Sequence, residues 1–126
     1  MDYNSDFRFD LELGQQGETT LGAIFSGAKI EVKTDFAAHR TGNFFIEYES
    51  RDKPSGLATT HAMYWCLIAT KTSERVLDDN VLFMAVIPTD RLKDLCREIF
   101  AEKGYVLGGD SNTSKGVLLP ISKIFL

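Results

Sequence analysis

The sequence predicts an α/β domain in which a mixed central β-sheet is flanked by helices. Three observations carry that expectation. Apolar residues recur at helical spacing over residues 11–26 and 91–103, strand-length runs occupy residues 29–36, 44–50, 64–70 and 81–88, and 126 residues with 44% hydrophobic content suit one core. Helices and strands interspersed in this way cover the faces of a sheet with helices. Residues 1–126 therefore read as a single domain.

The first helix rests on Leu11, Leu13, Leu21, Ile24 and Phe25, although Gly14, Gly17 and Gly22 weaken its intrinsic preference. Its apolar face is expected to pack on the sheet, with Glu18 on or beside that face. Residues 29–36 and 44–50 alternate as strands, with Ile30, Val32, Phe44, Ile46 and Tyr48 on an apolar side. The intervening Phe36-Ala-Ala-His-Arg-Thr-Gly-Asn43 has the length and turn residues to make the two strands a hairpin. Pro54-Ser55-Gly56 breaks the second strand, and Ser55, Thr59 or Thr60 would cap a short helix starting near Ala58, whose N-terminus would face an anion well.

Residues 64–70 and 81–88 are apolar enough to be buried strands, joined by a polar connection containing Asp78-Asp79-Asn80. Thr89 or Asp90 is a natural cap for the helix over 91–103, whose stripe is Leu92, Leu95, Cys96, Ile99 and Phe100 and whose end is Gly104. Residues 104–116 read as a mobile loop. Its glycines lack the Gly-Lys-Ser/Thr ending of a phosphate-cradling loop. Residues 117–121 read as a last strand, placed at an edge by Pro120.

Composition narrows the function classes. A net charge of −4 argues against a broad electropositive nucleic-acid surface, while Arg40, Arg51, Lys53, Lys71 and Arg75 leave room for a local one. No apolar run reaches the roughly 20 residues that cross a bilayer, and the first residues lack the basic and apolar regions of a signal peptide, so a cytoplasmic protein without a membrane partner is expected. Cys66 and Cys96 lie in apolar segments and read as reduced core thiols. With His39 and His61 as the two histidines, a Cys/His zinc site has no supporting spacing, and oxygen ligands are the realistic option.

The most informative pattern is acidic. In Glu31-Val32-Lys33-Thr34-Asp35 and Glu47-Tyr48-Glu49 the charged residues stand two apart, so each set shares one face of its strand. In a hairpin centred near His39, Asp35 would oppose Glu47 and Lys33 would oppose Glu49, and a slip of one residue would part the groups. Carboxylates held together call for a divalent metal or a raised pKa, which makes the patch a candidate active site. The same pattern also fits a solvated hairpin face on which Lys33 neutralises its neighbours.

The runs Ile-Glu-Val-Lys-Thr-Asp, Thr-Gly-Asn-Phe-Phe-Ile-Glu-Tyr-Glu, Pro-Ser-Gly-Leu and Ala-Met-Tyr-Trp resemble small phage-type members of the PD-(D/E)XK nuclease superfamily, over roughly Glu18 to Trp65. The resemblance implies a restriction-endonuclease-like fold, as in restriction enzymes and Holliday-junction resolvases, and metal-dependent hydrolysis of DNA phosphodiester bonds. It implies Glu18, Asp35 and Glu47 as metal ligands, with Glu49 in the usual lysine position and Lys33 supplying the displaced amine. A second alignment makes Glu31-Val32-Lys33 the acid-x-lysine itself.

Mg²⁺ or Mn²⁺ suits hard carboxylate ligands and would activate a water. Lys33 or Glu49 would then orient or deprotonate it. Arg40, Arg51 and Lys53 are candidate contacts to DNA, and cutting two strands would be simplest for a homodimer. The alternative is a catalytically inactive nucleic-acid-binding or protein-interaction module on the same fold.

Overall fold

Two sheets, rather than one, form around the core. The computed structural model describes residues 3–125, with side chains from Asp10 onward, so the first residues read above for a targeting signal begin outside the described residues. In chain order the elements are α1 (Tyr3–Gly27), β1 (Ile30–Asp35), α2 (Ala38–Thr41), β2 (Asn43–Ser50), β3 (Lys53–Pro54), a 3-10 turn (Gly56–Ala58), β4 (Tyr64–Thr70), β5 (Val81–Pro88), α3 (Thr89–Lys103), β6 (Val106–Gly108), a second 3-10 turn (Asp110–Asn112), β7 (Ser114–Pro120) and α4 (Ile121–Ile124). The α/β class stands. The first sheet is mixed, in the order β1-β4-β5 with β1 parallel to β4, and the second is antiparallel, in the order β3-β2-β7-β6.

The apolar residues of alternate positions meet in one core. Trp65, Leu67, Ala69 and Ile87 come from the first sheet, Phe44, Ile46, Val117 and Leu119 from the second, and Leu92, Leu95, Cys96 and Ile99 from α3. Each fully buried side chain of this size contributes about 2 kcal/mol by leaving water. The α3 stripe is therefore the one expected, except that Phe100 is half exposed and packs edge-on against Tyr48. Gly104 ends α3 with φ 71°, its N–H donating to the Phe100 carbonyl at 2.8 Å. Thr89 does not cap the helix: its hydroxyl donates to the Ala62 carbonyl at 2.7 Å and ties α3 to the entry of β4.

The hairpin expected between β1 and β2 does not form. β1 pairs with β4 and β2 pairs with β3 and β7, because residues 38–41 make a helical turn, ended by Gly42 at φ 75°, that carries the chain out of the first sheet. The expected mobile loop is also ordered, since β6 pairs with β7 within residues 104–116. That makes β7 an inner strand and not an edge. Pro120 is tolerated there as its final residue, where the missing N–H interrupts no inner rung. In place of a capped helix near Ala58 there is a single 3-10 turn, and the Ser55 side chain makes no cap bond to it, although its carbonyl accepts the Ala58 N–H at 3.0 Å.

Two departures concern exposure. β4 is buried as expected, whereas Leu82, Met84 and Val86 of β5 face outward. The apolar side of α1 does not lie on the sheet either: Leu11, Leu13, Leu21 and Phe25 are exposed, and α1 approaches the body at its C-terminal end, near Met63 and Tyr64. Among the described residues no helix is long and apolar enough to cross a membrane.

The connection between β4 and β5 is organised by one side chain. The Asn80 amide oxygen accepts from the Thr72 N–H (3.0 Å) and hydroxyl (3.1 Å), and its amide nitrogen donates to the carbonyls of Glu74 (3.1 Å) and Val76 (2.9 Å). Asn80 is buried, so these bonds replace water that cannot reach it. Asn80→Ala is expected to lower unfolding free energy by about 2 kcal/mol, read as a reduced urea midpoint at unchanged slope.

Candidate active site

The chain ends of β1 and the start of β2 meet around one open cleft of about 620 Å³. β1 contributes Lys33 and Asp35, β2 contributes Phe45 and Glu47, α2 contributes Arg40, and the Asn80-clasped connection contributes Ser73 and Arg75. The charged set thus gathers without the hairpin that was expected to gather it.

Asp35 is the joint between the two strands. One carboxylate oxygen accepts the Ala37 N–H at 2.9 Å and the other accepts the Phe45 N–H at 3.0 Å, so a side chain of the first sheet holds the backbone of the second. Each oxygen keeps a free lone pair. Glu47 reaches the cleft from β2, and its Oε2 accepts the Ser55 hydroxyl at 2.9 Å. Ser55 can do so because Gly56, at φ 51°, lets the 3-10 turn lie on the Glu47 backbone, where a Cβ would collide with the Glu47 carbonyl. The Phe45 ring covers Gly108 and Gly116, and a Cβ at either would come within 2.6 or 2.7 Å of that ring. Arg75 lies with its guanidinium 5.4 Å from the centre of the Phe36 ring, a cation–π contact at the rim.

Glu49 belongs elsewhere. The pairing of β2 with β7 shifts between Glu47 and Glu49, so Glu47 stands opposite Gly116 and Glu49 opposite the adjacent Lys115. This bulge places the two acids on opposite faces of β2, despite their spacing of two. Glu49 pairs with Lys115 at 3.2 Å, and that bond pushes the Lys115 amine above its ordinary value. Lys33 therefore does not oppose Glu49. Lys115 lies 5.0 Å from the centre of the Tyr105 ring, and burial is the main cause that pushes the Tyr48 hydroxyl up beside this pair.

The other candidates scatter. Glu18 is exposed on α1, and Glu31 is exposed in register with Trp65 on β4. Arg51 and Lys53 are exposed at the β2–β3 turn, and neither lines the cleft, whereas Arg40 does. Among the described residues no three His, Cys, Asp or Glu side chains gather as a metal cluster. The donor set on offer to a cation is the pair Asp35 and Glu47. Such a pair suits Mg²⁺, which is commonly held by one or two carboxylates with waters and substrate phosphate completing its shell. No protein-family model, curated protein or solved structure matches the chain.

Sequence reasoning missed Ser55 as the partner of Glu47. The signal was present in Pro54-Ser55-Gly56, read as a breaker and cap. Trp65 is core, as an aromatic in a buried strand should be. Cys96 is the core thiol expected, whereas Cys66 is half-buried and stands outside the core cluster; burial raises the Cys66 thiol and pushes Cys96 up to about 12.

Two expectations follow from these contacts. Asp35→Asn turns one acceptor toward a backbone donor as an N–H and should destabilise the fold by about 2 kcal/mol, whereas Glu47→Gln keeps an oxygen for Ser55 and should change stability by under about 0.5 kcal/mol, both read by urea titration. In thiol titration of the native chain at pH 8, Cys96 should stay unreactive until unfolding. Its neutral form stabilises the fold fully below the ordinary value of 9.0, and that contribution is lost as pH rises toward about 12.

Proposed function

We propose that the cleft between β1 and β2 is the active site of a Mg²⁺- or Mn²⁺-dependent DNA endonuclease. The observation that carries the reading is that Asp35 and Glu47, from strands of different sheets, line one cleft together with Lys33. Asp35 and Glu47 would hold the cation. Once bound, the cation would lower the pKa of a water and offset charge on the phosphate.

The residues of the chain divide the remaining work. Backbone bonds to both oxygens of Asp35 fix its carboxylate, and Ser55 fixes that of Glu47, so the ligands are oriented before substrate arrives. Lys33 is the amine that would orient the water or neutralise the scissile phosphate. Arg40 and Arg75 would pair with flanking phosphates, a local positive rim on a chain that is acidic overall. Glu49, committed to Lys115, has no part in this reading.

A second reading is a non-catalytic nucleic-acid-binding module that uses Lys33, Arg40 and Arg75 alone. It is favoured by the structural employment of Asp35, both of whose oxygens already serve backbone amides.

The test is cleavage of linear, branched and single-stranded DNA with Mg²⁺, Mn²⁺ or EDTA. Wild type should cut only with metal, and Glu47→Gln, chosen because it spares the fold, should cut at least about 100-fold more slowly. Arg75→Ala should weaken DNA binding more than turnover. Full activity of Glu47→Gln would sink the site, and DNA binding without cutting, unchanged in Glu47→Gln, would establish the second reading.

A further inference from the structure

Along β2, Phe45 and Glu47 line the cleft, while Ile46 and Tyr48, at the alternate positions, line a separate hollow of about 410 Å³ beside α3. Its floor is apolar. Ile46, Val117 and Cys96 are buried there, and Leu57 adds to them from the 3-10 turn. Phe100 stands edge-on to Tyr48 at its rim, with ring centres 6.0 Å apart. Small-molecule sites are concavities of about 300–1,000 Å³ with mostly apolar walls and a few placed polar groups, and this hollow has that size and character.

The polar groups come from α3. Lys93, Cys96, Arg97 and Phe100 stand at i, i+3, i+4 and i+7, so they share one face of the helix. A face turned to an apolar floor is ordinarily apolar throughout, yet two of these four are cations. Lys93 is half-buried and makes no ion pair among the described residues. Arg97 holds Asp94 at 3.2 Å, but the two side chains are 73% and 63% exposed, so the pair adds little and its guanidinium can turn to another carboxylate. Among the described residues no Asp or Glu lines the hollow. The Glu49–Lys115 pair beside Tyr48 is satisfied within itself.

We propose that this hollow binds a small carboxylic acid with an apolar body, of the medium-chain fatty acid class. The chain lies on Ile46, Leu57 and Val117, and the carboxylate meets Lys93 and Arg97. Side chains four apart on a helix have Cβ atoms about 5–6 Å apart, close enough for one carboxylate to take a bond from each. Such charge-assisted bonds are about twice as strong as neutral ones. Size selects a small molecule: at about 30 Å³ for a group as large as a water, the hollow holds at most about fourteen such groups, which a chain of eight to ten carbons with its carboxylate fills and a helix exceeds. Charge selects the acid, because a neutral or cationic molecule of the same shape leaves Lys93 without a partner. The proposal stands apart from the nuclease reading, since the cleft and the hollow use alternate residues of β2.

Titration of the full chain with octanoate, followed by ¹H–¹⁵N spectra, tests it, with octan-1-ol as the uncharged probe of the same length. Octanoate should bind saturably and about tenfold more tightly than the alcohol. Its amide shifts should centre on Leu57, Ala58, Cys96 and Arg97. Lys93→Met keeps the bulk of the stem without the charge, so with unchanged circular dichroism it should bring octanoate down to the affinity of the alcohol and leave the alcohol as it was. No saturable binding, equal affinity for acid and alcohol in wild type, a preference that survives Lys93→Met, or shifts centred on the exposed Val32 and Met84 of the first sheet would each overturn the site.

Discussion

The carboxylate of Asp35 is the constraint on which the arrangement depends. β1 hydrogen-bonds to β4 and belongs to the first sheet, β2 hydrogen-bonds to β7 and belongs to the second, and Asp35 accepts from the amide of Phe45 in between. Without that bond the two strands share no ladder. With it, and with the turn closed by Ala37, the end of β1 is fixed against the start of β2, and the cleft exists because the strands are held beside each other without pairing. An acceptor that is ionised makes both bonds stronger than neutral ones, which suits a joint carried by a single side chain.

The rest of the cleft is built by devices that act at a distance from it. The bulge between Glu47 and Glu49 turns one acid into the cleft and sends the other to Lys115 on the opposite face. Gly56 admits the turn that brings Ser55 to Glu47, and Gly108 and Gly116 leave space for the Phe45 ring. Asn80 closes the connection from which Arg75 reaches Phe36. Each is a backbone accommodation rather than a charged group, so the electrostatics of the cleft follow from packing around it.

Core and surface are unevenly matched. The side of the first sheet that carries Trp65 and Leu67 is buried against α3 and the second sheet, while on the opposite side Val32, Met84 and Val86 are exposed and Ile68 of the central strand is buried. The C-terminal part of α1 lies near Met63 and Tyr64 at the entry of β4, and its Leu21 and Phe25 are exposed.

The α/β class, the positions of α1, β1, β2, β4, β5 and α3, and the α3 stripe were legible in the sequence, because alternation at two and recurrence at 3.6 are local properties of the chain, whereas the short α2, β3, β6 and α4 were not. Asp35, Glu47 and Lys33 were legible as a charged group for the same reason. Partners were not. Residues 36–43 carry the turn residues of a hairpin and also those of a helical turn, and only the pull of β4 on β1 and of β7 on β2 selected the second. Glu49 could not be removed from the site by spacing, since the bulge that reverses it depends on pairing with β7. The fate of α1 was hidden for a further reason: an amphipathic pattern states that a face must be buried, and the tertiary structure decides against what.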